Sequence, residues 1–405
     1  MSNKDSTYQV LARKWRPKKF SELVGQDHIV RTLTNSINYD RIAHAYLFVG
    51  PRGTGKTTTA RLFASAINAK NAPTVDFDPN DDISLAIANG SCMDVIEIDG
   101  ASNNSVEQTR DIREECQYMP TSCRYKIYII DEVHMLTNAA FNALLKVLEE
   151  PPKHVKFIFA TTEAYKVLPT IVSRCQRLSF RPVDTDVLVK KLSEISESEG
   201  IKISDDALRC IAKLANGGVR DAESILDRMI SYCDKEITAN DVTSAYGLAD
   251  QKTIESIISS MYYGDYKKLL DISKSITESN CDRYRVMCDI ESTIHEQLLN
   301  IVNTEGNYPD RMIRILETIH DSKESVRSGI SEGINFETAI LKAAEHGQSR
   351  AIDAILRDIR EIRLNGTCQT DEDDKKEENC LEKSRLSPDI QSILTNEFRA
   401  KLNTL

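Results

Sequence analysis

Residues Lys126 to Pro152 read KIYIIDEVHMLTNAAFNALLKVLEEPP. The run Ile127-Tyr128-Ile129-Ile130 is short, apolar and rich in β-branched residues, the pattern of a strand buried on both faces of a parallel sheet. It ends on two carboxylates, Asp131 and Glu132. In open α/β sheets, ligands sit outside the carboxyl ends of the strands. The run therefore delivers two acids to the edge of a site, where a metal ion or an attacking water needs them.

Upstream, Gly50-Pro51-Arg52-Gly53-Thr54-Gly55-Lys56-Thr57 fits the phosphate-binding pattern G-x-x-x-x-G-K-S/T. It follows the apolar run Ala45 to Val49 and precedes a helical pattern, Thr58 to Lys70, the strand–loop–helix context the pattern requires. Glycines let backbone N–H groups wrap phosphates, and the helix N-terminus adds positive potential. Lys56 is expected to reach the β- and γ-phosphates of ATP, and Thr57 to ligate Mg²⁺ through its hydroxyl. Asp131 then holds Mg²⁺ from the second strand, and Glu132 polarises the attacking water.

Apolar runs at 45–50, 94–99, 126–131, 156–161 and 176–180 alternate with helical patterns. That alternation predicts an α/β fold with a mostly parallel five-stranded sheet and helices on both faces, over residues 1–182. Residues 183–246 read as wholly helical, with a break at Gly217-Gly218. Residues 247–365 read as four or five further helices, broken at Gly264, at Gly306 to Pro309 and at Gly329 to Gly333. Beyond Gly366 the chain turns acidic and polar (DEDDKKEEN), the composition of a linker, with a short amphipathic pattern from Pro388 to Leu402.

The 405 residues are 40% hydrophobic and 28% charged, the composition of a soluble globular protein. No apolar run approaches a membrane span, and the polar start MSNKDSTYQ is no signal peptide, so a cytoplasmic location is expected. Ten cysteines contain no C-x-x-C pair and read as reduced thiols. The net charge of −10 excludes a protein coated in basic charge, but not a local basic surface. Arg13, Lys14, Arg16, Lys18 and Lys19 cluster around the only tryptophan, Trp15. That cluster is either a solvated face or a phosphate-binding surface.

Several segments converge: YQVLARKWRP, LVGQDH, the phosphate loop, DEVHML, FNALLKVLEEPP, ATTE and SRCQRL. Together they resemble the gamma/tau family of bacterial DNA polymerase III, the sliding-clamp-loader ATPases of the AAA+ superfamily. The resemblance is nearly collinear over residues 8–245, weakens to pattern and length over 247–365, and is absent from the tail. It implies an AAA+ ATPase domain (1–182), a helical lid (183–246), an all-α oligomerisation collar (247–365) and an acidic linker with a short tail (366–405).

The resemblance also implies roles. Arg174, in Ser173-Arg174-Cys175, becomes an arginine finger reaching the γ-phosphate bound by a neighbouring subunit; without the family it reads as a helix-end cap. Thr162 takes the sensor 1 position and Arg220 the sensor 2 position on the lid. Tyr8, Arg16, Val24 and Gly25 lie near adenine and ribose, and Thr58 joins the nucleotide contacts. Asn103, Asn104 and Ser105 stand where clamp loaders track duplex phosphates, or they only cap a helix. Relatives usually carry four zinc-binding cysteines after the phosphate-loop helix. Here Ala69, Asp78, Asp81 and Ser84 stand roughly in their places, so no structural zinc is expected.

The function implied is ATP-dependent opening of the sliding clamp (beta) and its placement on primer–template DNA. The implied partners are the delta and delta-prime subunits and further copies of this chain, with no membrane. The chain resembles the short gamma-like form, which implies weak or no tethering of helicase and polymerase. Two other readings are an AAA+ DNA-remodelling or branch-migration motor and a non-hydrolysing scaffold subunit of a replication complex.

Overall fold

A computed structural model describes residues 9–102, 106–233, 236–279, 281–305, 309–329 and 331–348. Tyr8, Asn103, Asn104, Ser105 and the tail 366–405 lie outside the described residues. Two compact units divide the chain: residues up to Ile254 with Ser273–Val286, and Glu255–Ile272 with the residues from Met287 on.

In the first unit, strands β1 (Ala45–Val49), β2 (Val95–Asp99), β3 (Lys126–Asp131), β4 (Val155–Thr161) and β5 (Gln176–Ser179) form one sheet. Their order is β2-β3-β4-β1-β5. Every pairing is parallel, so the sheet has no antiparallel edge. β4 is buried along its whole length, and β1 and β3 nearly so. Such strands must be apolar on both faces, which is why they appear in the sequence as continuous runs.

The pleat sorts their side chains into two cores. Tyr46, Phe48, Ile127, Ile129 and Ile158 face the helices Asp27–Asn38 and Lys56–Asn68, through Ile29, Leu33, Phe63 and Ile67. Leu47, Tyr128, Ile130, Phe157 and Phe159 face the helix Asn138–Glu149, through Phe141, Leu144 and Leu148. Tyr128, Phe157 and Phe159 stack across the sheet at ring-centroid separations of 5.4 and 5.8 Å. Each such buried side chain contributes about 1.5–3 kcal/mol relative to exposure.

Beyond β5 the same unit continues into the helices Thr185–Glu199, Asp205–Leu214, Val219–Tyr232 and Ala239–Ala245. They close around Leu192, Ile195, Ile211, Leu226, Met229 and Val242. The break at Gly217-Gly218 lies between two of these helices as expected. The segment is not wholly helical. Two-residue strands β6 (Lys202–Ile203) and β7 (Glu236–Ile237) pair in parallel. Each runs into a helix N-cap: Ser204 Oγ accepts from the Ala207 N–H, and Thr238 forms a capping box with Asp241. Residues leading into an N-cap are extended rather than helical, so two such lead-ins side by side form a short ladder.

Five helices occupy the described residues from Gln251 to Gln348: Gln251–Tyr263, Tyr266–Glu278, Arg283–Glu305, Asp310–Ser328 and Glu332–Gln348. Gly264 separates the first two, as its breaker role predicts, with φ at +75°. Gly333 does not break a helix; it lies in the first turn of the last one. In the second unit the last two helices pack together, with Met312, Ile315 and Ile319 on one and Phe336, Ile340 and Ala343 on the other buried.

Candidate nucleotide-binding site

The sheet order puts β4 between β1 and β3, so the carboxyl ends of these three strands lie side by side. Everything the sequence marks as chemical is delivered there. The phosphate loop leaves β1 and is tied to the end of β4 by the Gly50 N–H, which donates to the Thr161 carbonyl at 3.2 Å. Gly55, at φ +95°, turns the loop into the helix Lys56–Asn68 and presents that helix's free N–H groups. Lys56 is buried (6% exposed), and its ammonium donates to the Gly50 and Pro51 carbonyls at 2.8 Å each. Burial lowers its pKa, against the pull of Glu132 and Asp131.

From β3, Asp131 Oδ2 accepts a hydrogen bond of 2.5 Å from the Thr57 hydroxyl. A hydroxyl and a carboxylate meeting beside a phosphate cradle form the hard oxygen donor set that suits Mg²⁺ shared with phosphates. Glu132 has φ +44°, a conformation uncommon for glutamate, and its N–H donates to Asp131 Oδ1 at 2.9 Å. The Thr162 hydroxyl donates to Glu132 Oε2 at 3.3 Å. His134, invisible as a site residue in the sequence reading, lies 3.4 Å from the same oxygen through Nδ1, and 3.0 Å from Thr161 Oγ1.

Lys56, Thr57, Asp131 and Glu132 border a cavity of about 350 Å³, within the range of small-ligand sites. Its sheet-side wall is Arg52, Gly53, Thr54, Gly55, Lys56, Thr57, Thr58, Asp131 and Glu132; its other walls include Trp15, Arg16, Val24, Lys191, Arg220 and Glu223. Gly50 and Pro51 are placed as carbonyl partners of Lys56 rather than as lining. Gly25 does not line the cavity, and a Cβ there would lie 3.0 Å from Val183. Thr162 reaches the site only through Glu132. Arg174 does not line the cavity of its own chain. Its guanidinium donates to Glu149 Oε1 at 2.7 Å and to the Thr170 carbonyl at 2.8 Å.

Trp15, Lys191 and Glu223 are among the lining residues that escaped the sequence reading as nucleotide contacts. The Trp15 indole N–H donates to Glu199 at 2.9 Å, and Lys191 lies over its ring at 5.4 Å, so the tryptophan pins the N-terminal segment to the lid. Glu223 is 4% exposed. Burial pushes its pKa up to about 7, against the pull of Lys191, Arg16 and Arg220. A signal was present: Val219, Glu223, Leu226 and Ile230 share one helical stripe, and an acid in an otherwise apolar stripe needs a reason.

At the positions where relatives carry zinc cysteines, Ala69 and Ser84 are buried, Asp78 accepts from the Asn80 N–H, and Asp81 accepts from the Lys70 N–H. Cys92 has a neighbouring thiol, Cys123, at 3.7 Å between sulfurs. Two thiols are not a four-ligand set. Among the described residues no group of three or more His, Cys, Asp or Glu side chains is placed to hold a metal ion.

Residues 25–184 match the family model described as DNA polymerase III, delta subunit. Residues 187–235 match the model for the DNA polymerase III clamp loader subunit, ATPase lid domain. The chain is 42% identical over 294 residues to DNA polymerase III subunit tau of Bacillus subtilis (strain 168), covering 72% of this chain and 52% of that protein. It is 40% identical over 302 residues to DNA polymerase III subunit gamma of Buchnera aphidicola subsp. Acyrthosiphon pisum, covering 75% and 82%. Among solved structures, the Thermotoga maritima RuvB Holliday junction branch migration motor matches with a TM-score of 0.44 at 18% identity, covering 61% of this chain and 79% of that one. The chain spans about half the length of the curated tau relatives it matches. With four-fifths of a gamma subunit matched at 40% identity, the chain belongs to the DNA polymerase III gamma/tau subunit family.

Proposed function

We propose that this chain is an ATP-hydrolysing subunit of the clamp loader of the replicative DNA polymerase. It assembles with further copies of itself and with delta and delta-prime subunits. Together they open the sliding clamp and place it on primer–template DNA in the cytoplasm. Residues 1–182 serve as the ATPase domain, 183–246 as its lid and 247–365 as the oligomerising collar. The observation that carries the reading is the split of the catalytic groups. Thr57, Asp131, Glu132 and Lys56 converge on one cavity, whereas Arg174 is held outside it by Glu149.

In the proposed cycle, Lys56 exchanges the Gly50 and Pro51 carbonyls for phosphate oxygens. Mg²⁺, held by Thr57 and Asp131, would neutralise charge on the phosphates. Glu132 orients the attacking water once Thr162 yields its carboxylate oxygen. Arg174 of one copy reaches the γ-phosphate bound by the next, where its permanent planar charge stabilises the transferring phosphoryl group. Arg220 reports nucleotide state to the lid, to which the phosphate loop is already tied: the Arg220 N–H donates to the Gly53 carbonyl at 3.3 Å.

The test is ATP hydrolysis by the reconstituted complex, with and without clamp and primed DNA, comparing wild type with Arg174→Ala. Stimulation by clamp and DNA, lost in the variant, supports the reading. Clamp-independent hydrolysis would favour a DNA-remodelling motor instead, and no ATP binding by the chain would favour a scaffold.

A further inference from the structure

A second cavity, of about 670 Å³, adjoins the nucleotide cavity and shares Ala12, Arg16, Pro17, Thr58 and Arg220 with it. Six cationic side chains line it: Arg13, Lys14, Arg16, Lys18, Arg61 and Arg220. Among the described residues, no aspartate or glutamate lines it. Two of the six are neutralised from outside the cavity: Lys14 pairs with Glu199 at 2.7 Å, and Arg61 grips Glu97 through two hydrogen bonds of 2.7 and 3.0 Å. Arg13, Arg16, Lys18 and Arg220 have no ion-pair partner among the described residues. In a chain of net charge −10, this is a strong local excess of positive charge.

Two further observations separate the cavity from a merely solvated basic face. Ser84, on its wall, is 3% exposed, and its hydroxyl has no hydrogen-bond partner. A buried hydroxyl without a partner is costly, and a ligand acceptor removes that cost. The Arg16 guanidinium is also held against its preference. Burial lowers its pKa, and Arg61, Arg220 and Arg13 lower it further against the pull of Glu97. An anion among these cations relieves the repulsion.

We propose that this second cavity binds a small polyphosphate anion, either a bare phosphate chain or the phosphate tail of a second nucleotide, beside the ATP held by the phosphate loop. Guanidinium groups suit this chemistry because their planar forks bind phosphate oxygens in pairs. A cavity of about 670 Å³ suits a compact polyanion rather than a rod of duplex. Because Arg16 and Arg220 border both cavities, occupancy of one alters the affinity of the other.

The test uses the full chain saturated with a slowly hydrolysed ATP analogue in excess magnesium, so that the phosphate loop is filled. Inorganic tripolyphosphate is titrated in by calorimetry, and ADP in a parallel arm. One additional site is expected. The tighter of the two probes identifies the source as a bare chain or a nucleotide tail. Arg13→Glu with Lys18→Glu is expected to weaken that site at least about tenfold, and Ser84→Val to weaken it without changing charge. Neither variant is expected to alter binding of the first nucleotide. The exposed pair Lys267→Glu with Lys268→Glu makes the same charge change elsewhere and is expected to leave the site intact. No heat beyond the first nucleotide, or equal weakening by the Lys267/Lys268 control, overturns the proposal.

Discussion

On the sheet side of the nucleotide cavity, each functional group occupies the place its chain position dictates. A β strand ends, a glycine loop or a pair of carboxylates follows, and the parallel register sets them side by side. On the lid side, the groups come from separate helices. Lys191 lies on Thr185–Glu199, Arg220 and Glu223 on Val219–Tyr232, and Trp15 on the N-terminal segment. The sheet side is built from local rules repeated strand by strand, whereas the lid side exists only after helices have packed. The first wall should therefore control chemistry, and the second should control how tightly the cavity is held shut and under which conditions.

The sharpest break of that comparison is at Lys56 and Glu132. Lys56→Ala is expected to abolish nucleotide binding, read by fluorescent nucleotide titration. Glu132→Gln is expected to retain binding and lower ATP turnover about 10²–10⁴-fold, the scale for losing a positioned general base. If instead the lid variant Arg220→Ala lowers turnover by more than Glu132→Gln, chemistry is not confined to the sheet side.

The same division explains what was legible in the sequence. The five strands, the phosphate loop and Asp131–Glu132 could be read because apolar runs and a fixed glycine spacing are local signals. The Thr57–Asp131 contact was implied by them. Arg174 came only from family resemblance: it does not line the cavity of its own chain, and no local pattern marks it. Glu223, His134 and Lys191 were missed as site residues because their roles depend on which neighbours tertiary packing brings. The short β6–β7 ladder was missed because two residues carry no period. The basic cluster around Trp15 could be read either way, because composition cannot distinguish a convex face from a cavity wall.

Glu223 gives the largest expected effect on the lid side. Its carboxyl, near 4.5 in the unfolded chain, is pushed up to about 7 in the fold by burial. Between those values the folded protein holds more protons than the unfolded one, so stability falls as pH rises from about 4.5 to about 7 and flattens above. The loss is about 3 kcal/mol at full extent. Glu223→Gln is expected to flatten that slope, so that its urea midpoint exceeds that of wild type at pH 8 and the gap narrows towards pH 5. A gap that does not change with pH would mean that Glu223 is not titrating in this window.

Gly53 joins the two walls. The phosphate-binding pattern leaves its position free, yet its φ is +76° and a Cβ there would lie 2.9 Å from Asp221 Oδ2 and 3.1 Å from the Gly218 Cα. Its glycine thus answers to the lid as much as to phosphate. Gly53→Ala is expected to cost about 1–2 kcal/mol from the left-handed backbone alone and to weaken nucleotide binding about tenfold. The double variant with Asp221→Ala should recover part of that affinity. No recovery would mean that the lid does not constrain this position.

The smallest expected effect concerns Glu149, which holds Arg174 on the sheet domain. Both side chains are substantially exposed, at 50% and 33%. Losing such a pair changes stability by less than about 1 kcal/mol, so Glu149→Ala should melt within a degree or two of wild type. Its effect should appear only in trans. Glu149→Ala leaves the guanidinium anchored by the Thr170 carbonyl alone, so the finger samples more orientations before docking on a neighbour's nucleotide. A mixed assembly separates the two walls again. Glu149→Ala in copies that carry Lys56→Ala should still lower hydrolysis at the adjacent intact site, because the chain that presents the arginine need not bind nucleotide itself. If hydrolysis at the adjacent intact site is unchanged, Arg174 does not serve that site in trans, and the cation it needs must come from its own chain.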